Sequence, residues 1–115
     1  MNHDEGRAPH VSVILATYNR ADLVGEAIDS VLAQTFADWE LVIVDDGSTD
    51  DTEAVLARYT DPRIRSLRQS NQGLSAARNA GLRVAQGDYA IMLDSDDRQR
   101  PDCLARLVAA ADARP

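Results

Sequence analysis

A chain of 115 residues, 44% of them apolar, has the length and hydrophobic content of one domain with a real core. Its net charge of −7 argues against nucleic acid as a partner, because phosphate backbones are bound by basic faces; small phosphorylated ligands presented through a metal stay open. The single cysteine, Cys103, excludes an intrachain disulfide and a cysteine-based zinc site. All twelve positive residues are arginine and lysine is absent, a composition in keeping with GC-rich coding. No apolar run approaches the ~18 residues of a membrane span, and no basic-then-apolar signal pattern opens the chain. A cytoplasmic location is therefore expected, with peripheral attachment to a membrane left open for the whole protein.

Residues 1–10, MNHDEGRAPH, are polar and aperiodic and read as a flexible leader, with His3 and His10 solvated rather than acting as ligands. VSVILAT (11–17) is β-branched and almost wholly apolar, as a strand buried on both faces should be. In ADLVGEAIDSVLAQTF, Val24, Ile28, Val31 and Leu32 recur at helical spacing, with Asp22, Glu26 and Asp29 opposite. WELVIVDD (39–46) is a second buried strand. A helix follows, opened by a capping pair in which Asp50 precedes Glu53 by three, and striped by Val55, Leu56 and Tyr59. Asp61-Pro62 ends it. RIRSLRQ (63–69) alternates as an edge strand does. In the next helix Ala76, Ala77, Ala80 and Gly81 allow close packing, and Gly87 stands where a C-terminal cap belongs. YAIMLD (89–94) is the fourth strand. Pro101 and Asp102 suit the first turn of a last helix whose apolar face is Leu104, Leu107, Val108 and Ala111.

Four strand–helix alternations imply a mostly parallel sheet with helices on both faces. Ligands of such sheets bind beyond the carboxyl ends of the strands. Here those ends are Thr17-Tyr18-Asn19, Asp45-Asp46-Gly47-Ser48 and Asp94-Ser95-Asp96-Asp97, so polar groups and at least four carboxylates converge on one crevice. Asp94 and Asp96 offer hard oxygens of the kind that hold Mg²⁺ or Mn²⁺ alongside water and phosphate. One aspartate before a helix is ordinarily a cap, so Asp96 or Asp97 could cap the last helix; three exceed what a cap needs. Gly47, Ser48 and Asp50 are partly explained by turn and cap chemistry. The doublet Asp45-Asp46 is open between a local role and holding a base N–H or ribose hydroxyls. Arg78 reads either as a surface arginine or as a group facing the crevice to pair with a carboxylate or phosphate; Asn79 beside it reads as helix packing.

In order, VSVILATYNR, QTFADWELVIVDDGSTDDT, NQGLSAARNAGL and GDYAIMLDSDD with the following Pro101 resemble the nucleotide-sugar half of family 2 glycosyltransferases. These are inverting enzymes of the GT-A fold, a Rossmann-like three-layer α/β/α arrangement with a mostly parallel sheet. The resemblance covers nearly all of residues 11–108. It implies that Thr17 and Tyr18 line the nucleotide pocket and that Asp46 holds the base, typically uracil. It matches Asp94-Ser95-Asp96 to the Asp-x-Asp motif, with Asp96 bound to the metal and Asp94 near ribose or metal. It further implies a UDP-sugar or other NDP-sugar donor, an Mn²⁺ or Mg²⁺ ion bridging the diphosphate, and a bacterial enzyme. The acceptor is unspecified: lipid, polysaccharide or protein.

The family's acceptor half and its general base, usually Asp or Glu, follow the region matched here. The expectation is thus a fragment or truncated gene product: residues 11–115 carry the donor half, bind nucleotide weakly and transfer sugar poorly or not at all. A second copy of the chain is one way of covering the sheet's bare side. The competing readings are a magnesium-binding phosphoryl-transfer or receiver-like domain and a binding-only module of the same fold. A receiver wants its acidic pair after the first strand and a late lysine; Thr17-Tyr18-Asn19 and the absence of lysine disagree with it. A dehalogenase-like phosphatase and a P-loop enzyme also want lysine, and a nucleotidyltransferase wants a basic, glycine-rich loop after strand one.

Overall fold

Strands β1 (Val11–Thr17) and β2 (Trp39–Asp45) are buried at every position, as their unbroken apolar runs require. The computed structural model describes residues 9–96 and 98–113. The expected leader, His3 included, lies outside those residues up to position 8, and so does Asp97. Strand β3 (Ile64–Arg68) pairs with β2, and β4 (Tyr89–Asp94) pairs with β1. The result is one parallel sheet of order β3-β2-β1-β4.

Four helices alternate with the strands: α1 (Val24–Leu32), α2 (Thr52–Leu56), α3 (Leu74–Val84) and α4 (Cys103–Asp112). The two-residue period of the strands sorts their side chains to two faces. Val13, Leu15, Leu41, Ile43 and Leu93 pack with Ile28 of α1, Leu56 of α2 and Leu104 of α4. Ile14, Ala16, Val42 and Val44 pack on Ala77 of α3. Small residues let α3 lie close: a Cβ on Gly81 would stand 2.6 Å from Ile14 Cγ2. The chain is therefore a three-layer α/β/α unit, and each large aliphatic side chain buried in it contributes about 1.5–3 kcal/mol.

Local details depart from the expectations at three points. Gly87 is not a helix cap: α3 ends at Val84 and Ala85 turns extended. Glycine is needed at position 87 because a Cβ there would meet Ser12 N and Ser12 Oγ at 2.7 Å. The capping pair of α2 does not form. Asp50 accepts from the Thr52 N–H at 2.9 Å, while Glu53 pairs with Arg68 at 3.1 Å instead of returning to the backbone. His10 is not simply solvated. Its Nδ1 lies 2.9 Å from Asp88 Oδ2, its Nε2 lies 3.2 Å from Asp112 Oδ1, and its ring meets Tyr89 edge-on at 5.1 Å. It ties the start of the sheet to the end of α4.

A buried polar network closes the same end of the sheet on the α3 side. Glu40 accepts from Ser12 Oγ and the Gln86 N–H, both at 2.6 Å, and from Arg65 at 2.8 Å. Burial alone would raise its carboxyl, but the bonds from Ser12, Gln86 and Arg65 outweigh it and hold it below the ordinary 4.5. The hydrogen bond that His10 donates to Asp88 first, opposed by burial and helped by the one to Asp112, raises its imidazole above 6.5.

Two pH dependences of opposite sign are expected. The Glu40 contribution is complete above pH 4.5 and is lost as pH falls through the lowered value of the folded chain. The His10 contribution is complete below pH 6.5 and is lost as pH rises through the raised value. Urea unfolding across pH checks both. Glu40→Gln should cost about 2 kcal/mol at pH 7, and His10→Gln should flatten the slope above pH 6.5.

Candidate functional site at the carboxyl ends of the strands

Register decides what meets at the carboxyl edge. Thr17 lies beside Asp45, Ala16 beside Asp94, and Asp45 beside Arg68. Each strand then breaks into a loop, and the loops are stitched together. Asn19, at φ 52, accepts from the Thr49 N–H at 2.7 Å while its own N–H donates to Ser48 Oγ at 2.8 Å. Asparagine tolerates that left-handed backbone better than most residues. The Ala21 N–H donates to Asp50 at 3.2 Å, joining the same two loops.

The doublet after β2 divides its labour. Asp45 accepts from the Ser48 N–H at 3.0 Å and pairs with Arg68 at 3.1 Å, so its role is local. Asp46 reaches the loop after β3. Its Oδ1 accepts from Gln69 Nε2 at 2.8 Å and the Gln72 N–H at 2.9 Å, and its Oδ2 from the Gly73 N–H at 2.9 Å. Burial pushes this carboxyl up, but those three donors more than compensate and hold it below the usual aspartate value. Gly47 makes the approach possible: at φ 80, a Cβ on it would stand 2.8 Å from Asn71 N.

Asp46 thereby fixes one wall of a cleft of about 420 Å³ lined by Tyr18, Asn19, Arg20, Asp46, Asn71 and Ser95, with Gly73 and Leu74. The expected site residues Tyr18, Asp46 and Ser95 meet there. Thr17 does not reach it: the residue is wholly buried and its Oγ1 has no hydrogen-bond partner among the described residues. Asn19 belongs to the first strand end already expected at the crevice, while Arg20 and Asn71 are additions that sequence reasoning did not single out; the signal for Asn71 was the Ser-Asn-Gln-Gly turn after β3.

Asp94 and Asp96 stand at the end of β4, both exposed. Asp94 Oδ1 is 2.7 Å from Arg78 Nη2, so Arg78 does face the acidic crevice and pairs with a carboxylate, as one of its two readings held. Asn79 beside it is exposed. Neither Asp94 nor Asp96 caps α4. Its N-cap position is Asp102, which makes no side-chain capping bond, and the Leu104 N–H donates to Gln34 Oε1 at 2.9 Å. The aspartates are thus left available as oxygen donors. No group of three or more His, Cys, Asp or Glu that could hold a metal is gathered among the described residues. Two solvent-facing carboxylates do fit an ion that takes one or two protein oxygens and completes its shell with water and phosphate.

An open parallel sheet with a polar cleft at its carboxyl edge, and Asp94 and Asp96 beside it, is the arrangement of an α/β domain whose ligands bind beyond the strand ends. The chain belongs to glycosyl transferase family 2, whose model matches residues 12–115. It is 45% identical over 108 residues to the succinoglycan biosynthesis protein ExoO of Rhizobium meliloti (strain 1021), covering 93% of this chain and 31% of that protein. It is 40% identical over 100 residues to the chondroitin synthase of Escherichia coli, covering 85% of this chain and 15% of that protein. The crystal structure of S. aureus TarS in complex with UDP-GlcNAc superposes with a TM-score of 0.86 at 31% identity, over 90% of this chain and 31% of that one. The mannosyltransferase PcManGT from Pyrobaculum calidifontis, in complex with GDP-Man and Mn²⁺, superposes with a TM-score of 0.85 at 32% identity, over 96% of this chain and 34% of that one. The fold is GT-A. The chain spans about a third or less of these proteins' lengths, and family membership sets aside the receiver-like and phosphatase readings.

The Asp46 clamp has a direct readout. Asp46→Asn puts an N–H₂ where the donors converge, so amide exchange at Gln72 and Gly73 should accelerate about tenfold or more. Hydrogen-exchange mass spectrometry over 69–74 checks this, and unchanged protection would mean that the loop is held by other contacts.

Proposed function

We propose that this chain is the donor-binding part of an inverting glycosyltransferase that takes an NDP-sugar, with UDP the first choice of nucleotide. The observation that carries the reading is the convergence of Tyr18, Asp46 and Ser95 on one cleft at the strand ends, with Asp94 and Asp96 continuing from Ser95 on either side. Membership of glycosyl transferase family 2 supports it. The neighbours holding UDP-GlcNAc, and GDP-Man with Mn²⁺, show what similar folds accommodate.

In this reading the cleft takes the nucleoside. Tyr18 offers a ring face, and the loop wall fixed by Asp46 offers the base its polar edge. Asp96, with Asp94 beside it, would hold Mn²⁺ or Mg²⁺. When bound, such an ion supplies charge neutralisation to the leaving group. Arg78 can pass from Asp94 to a phosphate oxygen, since a guanidinium serves either anion. The acceptor oxygen then attacks the anomeric carbon from the face opposite the diphosphate, and the bond to the diphosphate breaks with inversion. The carboxylates of the cleft are all assigned to the donor or to the loops. The base that takes the acceptor's proton is supplied from elsewhere in the whole protein, and these 115 residues alone transfer sugar weakly or not at all. No helix among the described residues is long and apolar enough to cross a membrane.

Calorimetric titration with UDP and with GDP, in Mn²⁺ and then in EDTA, tests the reading. Metal-dependent binding is expected, and Asp96→Asn should weaken it about tenfold or more, at least about 1.4 kcal/mol. Asp96→Asn leaving metal-dependent affinity intact would sink the assignment.

A further inference from the structure

Arg20 has no part in the donor reading above, although it lines the same cleft as Tyr18 and Asp46. Its backbone is fixed on both sides. The Arg20 N–H donates to Thr52 Oγ1 at 3.2 Å, and its carbonyl accepts from the N–H groups of Leu23 and Val24 at 2.9 and 2.8 Å, where α1 begins. Its side chain is exposed and forms no ion pair among the described residues; the guanidinium makes one weak contact, from Nη1 to the Asn19 carbonyl at 3.5 Å. It is thus a set of N–H donors with little to donate to. Sheet order decides which part of a nucleotide it would meet. Asn19, Arg20 and Ala21 are bonded to Ser48, Thr52 and Asp50, which follow β2, whereas Asp94 and Asp96 follow β4 on the other side of β1. Arg20 therefore belongs to the Asp46 end of the cleft and not to the proposed diphosphate end.

Asp46 limits what that end can accept. Its Oδ1 already takes two donors, Gln69 Nε2 and the Gln72 N–H, and its Oδ2 takes one, the Gly73 N–H. With about two lone-pair sites on each carboxylate oxygen, a single acceptor place remains, on Oδ2. We propose that Arg20 is a specificity-determining residue of the cleft: its guanidinium donates to a ring carbonyl of the base while the remaining place on Asp46 takes the adjacent ring N–H. An N–H flanked by carbonyls is the edge of uracil, and thymine shares it. Cytosine has no such N–H and carries an amino donor in place of one carbonyl. Guanine brings two donors to a single acceptor. A donor that faces a donor is left unpaired when water leaves, and an edge of that kind is refused. The inference rests on the donor reading and narrows it to the choice of base.

The test titrates the ¹⁵N-labelled chain as it stands with UDP, CDP and inorganic diphosphate, each with Mg²⁺, and reads dissociation constants by NMR. The parent should hold UDP about tenfold or more tighter than CDP. Arg20→Ala, a change at an exposed side chain that leaves the backbone bonds in place, should weaken UDP about tenfold and leave CDP and diphosphate unchanged. CDP binding the parent as tightly as UDP, or UDP binding the variant as tightly as the parent, would overturn the proposal and leave the donor reading intact. So would diphosphate weakened as much as UDP, which would make Arg20 a phosphate contact. A parent that binds neither UDP nor diphosphate would sink the donor reading itself.

Discussion

Asp46 ends the central part of the sheet with a carboxylate that is almost wholly buried, yet both its oxygens accept hydrogen bonds from the loop after β3. An ionised carboxylate deprived of water is costly unless donors replace the lost hydration. Here the replacement comes largely from backbone N–H groups, which would exchange the carboxylate for water if the loop departed, while the buried charge would lose its donors. Charge and loop therefore hold each other in place, and the loop is a wall of the cleft. A contact made to satisfy one buried charge decides where the ligand-facing surface lies.

The other aspartates at the edge have different fates because register and face differ. Asp45 is absorbed by Ser48 and Arg68. Asp94, on the α3 face of β4, meets Arg78. Asp96, one residue beyond the turn serine, is left to solvent. Arg78 occupies with a fixed positive charge the neighbourhood that a divalent ion would enter, so the carboxylates are not left facing one another across an uncompensated crevice. In the proposed donor complex a metal and diphosphate would bring charges of both signs, so Arg78 would have an anion to turn to as Asp94 gained a new cation.

Most of the architecture could be read from the residues. Unbroken β-branched runs in β1 and β2 announced strands buried on both faces, and the small residues of α3 announced a close helix. What could not be read was contact at long range. Gly87 looked like a helix end because local chemistry favours glycine there; its real constraint is the Ser12 backbone, 75 positions away in sequence. His10 looked solvated because its partners, Asp88 and Asp112, come together only when the sheet and α4 assemble. At the site, the order of strands and helices was enough to bring Tyr18, Asp46 and Ser95 to one sheet edge, their roles being implied by the family resemblance, and the readings of Arg78 included the pairing that occurs. Thr17 stands at the right strand end, but as the last residue of a strand buried at every position it is covered, whereas Tyr18, the first residue past the strand, is exposed.

Gln34 anchors the chain that follows the end of β4. This buried amide donates to the carbonyls of Ser30 at 3.1 Å and Arg100 at 2.6 Å, and accepts from the Leu104 N–H at 2.9 Å. It moors the chain to the end of α1 just after the aspartates, as β4 moors it just before them. The chain is thus held on both sides of Ser95 and Asp96, by strand pairing before them and by Gln34 at Arg100 after them. Anchors that close in sequence leave Asp96 little room to travel, so its carboxylate is offered to a ligand already near its place.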